Sequence, residues 1–326
     1  MFKKRTIGAV VGLAAAALVL AGCASDGGGS EAADGEKPYV ALISKGFQHQ
    51  FWQAVKSGAE QAAEEFDVEI TFEGPDTEAD VDQQIQMLQT ALDKSPAAIG
   101  FAALDSQAAG PLLQQAKDQS IPVIAFDSGV DSDIPLTTAA TDNLAAAAEA
   151  AKHMAEAVGH EGKVALVVHD QTSVTGQQRR DGFVDYMEEN EPGIEIVDIQ
   201  YGGGDQAKSA DLAKAIIAAN PDLKGIYGSN EGSAIGVVQA VKELGIDPTQ
   251  LVVVGFDSGK AQMDAIRDGL MLGAITQNPV GIGYETVKAA VEAIDGEELP
   301  KTIDTGYYWY DGSNIDDEEI QAVLYE

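Results

Sequence analysis

The 326-residue chain has a single cysteine, Cys23, and it stands ahead of every segment with a strand or helix pattern. An internal disulfide is therefore excluded, and the fold has to rest on its core. A catalytic role for that thiol is a poor fit, because it sits between an apolar run and a flexible tail. Positive charge is scarce too: 20 Lys and Arg face 53 Asp and Glu, a formal net charge of −33. Such a surface repels nucleic acid and anionic headgroups, so neither is an expected partner. The acids are scattered along helix faces, as in a solubilising exterior, and form no long block. No Gly-rich phosphate cradle is present, and His153, His160 and His169 lack ligand spacing with one another, so no metal and no cofactor is expected.

Long apolar runs are also missing, with one exception near the start. Lys3, Lys4 and Arg5 precede IGAVVGLAAAALVLAG, roughly 16 residues where a membrane span needs ~20. Residues 1–22 therefore read as a secretory signal. Their ending, L-A-G-C, resembles the lipobox of bacterial lipoproteins, which implies a lipid on Cys23 and a protein held on the outer face of the cytoplasmic membrane or in the periplasm. Residues 23–37, rich in Gly, Ser, Ala and acids, have nothing to bury and read as a tether.

What remains is ample for two cores, with 45% hydrophobic residues over the whole chain. From Pro38 onward, short apolar runs alternate with segments of helical period: YVALIS, then a helix near 50–65; VEITF, then 80–94; AAIGFAA, then 108–119; PVIAF. The rhythm resumes after Asp142. Strict alternation means βαβ units and parallel sheets, and around ten strands are too many for one small core. The fold class is α/β, with two doubly wound parallel-sheet lobes.

The halves also repeat in detail. IPVIAFDSG at 121–129 is matched by LVVVGFDSG at 251–259, and Pro96 and Pro221 each lie nine residues before a polar strand end, Asp105 and Asn230. Asp127 and Asp257 thus occupy equivalent carboxyl ends of strands, where open α/β sheets bind ligands.

At this point the chain resembles the ribose-type sugar-binding proteins of ABC importers. The resemblance runs from about Val40 to Val323, on the F-W pair of HQFWQAVKSGAEQAA, IPVIAFDSG followed by ATDN, RRDGF, the Asn of GSNEGSAIG, VVVGFDSG and ITQNPVGIGYETV. It implies a type I periplasmic binding fold whose lobes, 38–140 with 278–305 and 141–277 with 306–326, are joined by three hinge crossovers near residues 140, 277 and 305. It also implies a monomer that closes over a sugar and delivers it to a permease.

Residue chemistry supplies the candidate site. A sugar offers C–H faces and hydroxyls, so its binder needs aromatic surfaces and bidentate polar groups. Phe51 and Trp52 offer the first; ordinary core packing is the competing reading, although adjacent helical residues point about 100° apart, so at least one should leave the core, and the resemblance puts both at the cleft. Asp127 and Asp257 each accept two hydroxyl hydrogen bonds, or else cap a helix. Asn230 both donates and accepts, or is a turn residue. Gln277 contacts sugar or satisfies the hinge backbone. Arg179 offsets the carboxylates or is a solvated surface cation. His49 aligns with a family Asn that touches ligand, or is a satisfied loop residue. Against the ribose binder's pattern, Ala102 stands for Asn, Ser128 and Gln177 for Arg, and Gly204 for Phe. Ribose itself is therefore doubtful, and a neutral monosaccharide or related polyol of different shape is expected. The alternatives weighed are a sugar sensor serving a chemoreceptor or sensor kinase, an exported glycosidase using Asp127 and Asp257, and a repressor. The last lacks any N-terminal helix-turn-helix, and the expectation is a protein that is not an enzyme.

Overall fold

The computed structural model describes residues 37–325. The signal segment, Cys23 with its expected lipid, and all of the tether but Lys37 lie outside the described residues. Among those described, no helix is long and apolar enough to cross a membrane.

The chain first alternates as β1 (Tyr39–Ile43), α1 (Gln50–Glu65), β2 (Glu69–Glu73), α2 (Val81–Asp93), β3 (Ala98–Phe101), α3 (Gly110–Asp118), β4 (Val123–Phe126) and β5 (Thr138–Ala140). It continues as α4 (Asn143–Val158), β6 (Gly162–Val168), α5 (Val174–Asn190), β7 (Ile194–Tyr201), α6 (Gln206–Ala219), β8 (Leu223–Gly228), α7 (Glu231–Leu244), β9 (Val252–Phe256), α8 (Lys260–Arg267) and β10 (Gly273–Gln277). It ends with α9 (Pro279–Ile294), β11 (Thr302–Asp304), β12 (Tyr307–Asp311) and α10 (Glu318–Gln321).

These strands form two six-stranded sheets, ordered β2-β1-β3-β4-β5-β11 and β7-β6-β8-β9-β10-β12. Every pairing is parallel except β10 with β12. The continuous apolar runs mark strands covered on both faces: β3, β4 and β10 are buried at every residue, whereas the edge strands β2 and β11 are not. The chain passes between the sheets after β5, after β10 and after β11. Helix α9 follows a strand of the second sheet yet packs Val287, Ala289 and Ala290 against Val40 and Leu42 of the first. Its approach to α1 is close enough that a Cβ at Gly58 would collide with the Val280 backbone, and one at Gly283 with the Val55 carbonyl.

Capping differs between helices in a way that bears on the site. Asp142, Ser173, Asp205, Asn230 and Asn278 each accept a backbone N–H in the first turn of α4, α5, α6, α7 and α9. The residues preceding α1 and α8, His49 and Gly259, make no such side-chain bond.

Candidate functional site

The two F-D-S-G segments leave β4 and β9 in the same unusual way. Asp127 and Asp257 both have left-handed backbones, φ 54° and 78°, a region that Asp tolerates better than most residues. The turn is anchored alike in each copy: Asp127 N–H donates to Ala139 O at 2.9 Å and Asp257 N–H to Ile275 O at 2.6 Å. Both carboxylates are buried, at 5% and 4% exposure, and line one cavity.

Arg179 joins them. It projects from α5 with its guanidinium 3.9 Å from Asp127 Oδ1 and 3.7 Å from Asp257 Oδ2. Nε donates to Asn143 Oδ1 at 2.7 Å and Nη1 to Ser229 O at 3.1 Å, while Cζ lies 3.8 Å from the Phe256 ring centre. The surface reading of this arginine is thereby corrected: α5 carries it inward, and the neighbouring Arg180 is the one that pairs at the surface, with Asp181. Gln277 lies at the second crossover and lines the cavity. Its Nε2 donates to Asp257 Oδ1 at 2.6 Å, and its Oε1 accepts from Thr141 Oγ1 at 2.9 Å, tying two crossovers together. Asn230 uses both ends of its amide: Oδ1 caps α7 through Ser233 N–H at 2.8 Å, and Nδ2 faces Glu78 Oε2 at 3.4 Å. Neither aspartate caps the helix that follows its own strand; Asp257 Oδ2 instead accepts Glu231 N–H, in the first turn of α7, at 2.9 Å.

Phe51 and Trp52 meet edge to face at 4.9 Å. Both line the cleft, and because the cleft is enclosed both stay buried, at 4% and 1% exposure, while packing with Phe126, Ile282 and Tyr325. The Trp52 indole donates to Glu78 Oε1 at 2.7 Å, and His49 Nε2 lies 3.7 Å from Glu78 Oε2. His49 Nδ1 is buried without a partner.

All eight predicted residues line one cavity of about 20 Å3, together with Lys45, Glu78, His169 and Thr175. Those four were missed. Lys45 follows β1, Glu78 follows β2 and His169 follows β6, so the strand-end rule that marked the aspartates reaches them as well. Lys45 Nζ spans the lobes to Thr175 Oγ1 at 3.1 Å, Ser173 Oγ at 3.3 Å and Asp170 at 3.6 Å. Glu78 also accounts for Gly204, since a Cβ there would lie 2.9 Å from Glu78 Oε2 and 3.3 Å from Asn230 Nδ2. No aromatic side chain fits at that point. A larger groove of about 540 Å3 is also lined by Asp127 and Asn143.

Burial sets the electrostatics. It pushes Asp127 up to about 6 against the pull of Lys45 and Arg179, and it raises Glu231 as well. Burial opposes ionisation of Glu78 and Asp170 too, but loses. His49 and Lys45 hold Glu78 below the usual range, and Lys45 with His169 and the Ser173 hydrogen bonds holds Asp170 at about 2. The enclosed imidazole of His169 drops to about 3 and is neutral near pH 7. The arrangement is a hydrogen-bonding cage with acceptors and donors from both sheets and an aromatic edge.

A family model described as a periplasmic binding protein domain matches residues 40–298. The chain is 28% identical over 261 residues to the D-allose-binding periplasmic protein of Escherichia coli K12, covering 78% of this chain and 83% of that protein. Among solved structures, an ABC transporter solute-binding protein of Agrobacterium vitis with α-D-tagatopyranose superposes with a TM-score of 0.86 at 31% identity, over 89% of this chain and 100% of that one. Another from the same organism, with bound D-fucose, gives 0.85 at 34% identity, over 88% and 100%.

Proposed function

Because the chain belongs to the periplasmic binding protein family, we propose that it captures a neutral monosaccharide or related polyol between its two sheets and hands it to an ABC importer permease. The observation that carries this reading is the buried Asp127–Arg179–Asp257 bridge beside Phe51 and Trp52. Carboxylates with unused acceptor sites bind vicinal hydroxyls in bidentate fashion, and an arginine between them donates to a ring or hydroxyl oxygen. The edges of Phe51 and Trp52 meet the C–H face. Lys45, His49, Glu78, Asn230 and Gln277 complete the hydroxyl contacts. Five buried or nearly buried acids (Glu78, Asp127, Asp170, Glu231, Asp257) outnumber Lys45 and Arg179, which disfavours a sugar phosphate. A volume near 20 Å3 is far below the ~300–1,000 Å3 of ordinary ligand pockets, so entry requires the lobes to part. Asp127 and Asp257, both tied to one arginine and carried on lobes that move, serve binding rather than glycoside hydrolysis. A lipid on Cys23 keeps the monomeric protein at the membrane.

A thermal-shift panel of D-allose, D-ribose, D-tagatose, D-fucose, D-arabinose, hexitols and inositols tests this, since a ligand of the native state raises the melting temperature. Tight binding of a phosphorylated sugar without its neutral parent overturns the ligand class. Scattering with and without the positive sugar tests closure: the radius of gyration at saturation falls below that of the sugar-free protein.

A further inference from the structure

Helices α1 and α8 begin without side-chain caps of their own. Both are completed from the opposite lobe. Glu231, at the start of α7, accepts the Gln50 N–H on Oε1 and the Phe51 N–H on Oε2, each at 3.2 Å. In return Gln50 Oε1 accepts the Lys260 N–H at the start of α8, at 2.9 Å. We propose that Glu231 and Gln50 form a reciprocal helix-capping latch that holds the lobes together from outside the sugar cavity and sets how much of the protein is closed before sugar arrives. This rests on the reading that the lobes part and close around a ligand.

Three features support the latch. Neither Glu231 nor Gln50 lines the cavity, so their contacts do not depend on an occupant. The Glu231 backbone N–H donates to Asp257 Oδ2 at 2.9 Å, which connects the latch to a cavity carboxylate. Space around the pair is reserved by glycine: a Cβ at Gly259 would lie 2.8 Å from Glu231 Cδ and 3.2 Å from Gln50 Oε1, although its backbone, φ −55°, suits any residue. Opening exposes the first amides of two helices and returns a buried carboxylate to water. The latch therefore adds a few bonds of capping strength to the Lys45 and Asn230 contacts that also span the lobes, and apparent sugar affinity scales with the closed fraction.

The test is amide hydrogen exchange on the full-length protein without sugar, alongside small-angle scattering. Glu231→Ala should speed exchange at Phe51, on the other lobe, by about 10-fold, the value of a lost cap. Gln50→Ala should do the same at Lys260, and Gly259→Ala, which removes no hydrogen-bonding group, should speed both. Glu231→Gln, keeping one carbonyl acceptor, should restore part of the protection. Amides of Leu42 and Leu166 should hold their rates, showing that both sheets are intact, while the radius of gyration rises in all three disruptive variants. Unchanged exchange at Phe51 and Lys260 with superimposable scattering curves overturns the latch. If no sugar shifts the wild-type melting temperature, the functional reading fails, and the exchange rates still decide the latch.

Discussion

The two F-D-S-G turns share backbone geometry but not electrostatic circumstances. Asp257 is held by Gln277 Nε2 and Glu231 N–H, at 2.6 and 2.9 Å. On Asp127, among the described residues, there is no hydrogen-bond donor, and its nearest cation is 3.9 Å away. One carboxylate is thus pre-organised by its own lobe, whereas the other keeps its lone pairs free and is pushed up to about 6 by burial. Equivalent positions in a repeated plan can diverge in this way because a carboxylate's partners depend on the neighbours a turn meets, which the turn itself does not specify.

Removing the group common to both turns should have the largest effect. Arg179→Met leaves two buried carboxylates without their cation and should cost about 3–5 kcal/mol of stability in urea unfolding, with sugar binding lost. Asp257→Ala should weaken sugar binding by about 2–5 kcal/mol in calorimetric titration. Because Glu231 N–H and Gln277 would lose their acceptor, it should also destabilise the fold by about 1–3 kcal/mol; normal affinity in a folded variant would remove Asp257 from the site.

Asp127→Asn should behave in the opposite sense. An acid with a folded pKa of about 6, against an ordinary 3.8, binds its proton more tightly in the native state. The stabilisation from that proton is complete below pH 3.8 and is lost as pH rises through 6. A neutral amide avoids the loss, so the variant should gain about 2–3 kcal/mol at pH 7.5 and almost nothing at pH 4, while binding sugar more weakly. Chemical denaturation of both proteins at the two pH values checks it; His169, with a pKa lowered to about 3, contributes equally to each and cancels in the difference. The smallest effect should come from Tyr325→Phe. The Tyr325 hydroxyl accepts Ser258 N–H at 3.1 Å, next to Asp257, and among the described residues no hydroxyl is seen to accept the equivalent Ser128 N–H. About 1 kcal/mol of stability should be lost, with affinity nearly unchanged.

Strand ends and the repeat marked Asp127, Asp257 and Asn230, and adjacency marked Phe51 and Trp52, whereas Arg179, His49 and Gln277 were singled out through the family resemblance; all eight line the one cavity. Lys45 and Glu78 were harder to see: a lysine after a strand and a glutamate before a helix look solvated until the opposite lobe covers them. Asn230 and Gln277 had two competing roles in the sequence; the structure shows the cap and the hinge bonds and sets both side chains at the cavity, since an amide has separate donor and acceptor ends. At least one of Phe51 and Trp52 was expected to leave the core; both line the cleft, and its enclosure keeps both buried.

The alternation of apolar runs with amphipathic segments was enough to dictate parallel sheets, and the duplicated motif enough to place an aspartate at the carboxyl end of one strand in each, because burial on both faces and strand-end turns are local demands. Which charges face each other was decided only by folding. Arg179 lies 52 residues from Asp127 and 78 from Asp257 along the chain, and Glu231 is 181 from the Gln50 amide it caps. Such pairings depend on the angle at which two sheets meet through three crossovers, and on how completely they exclude water. Both are properties of the packed molecule, to which each segment contributes without encoding the sum.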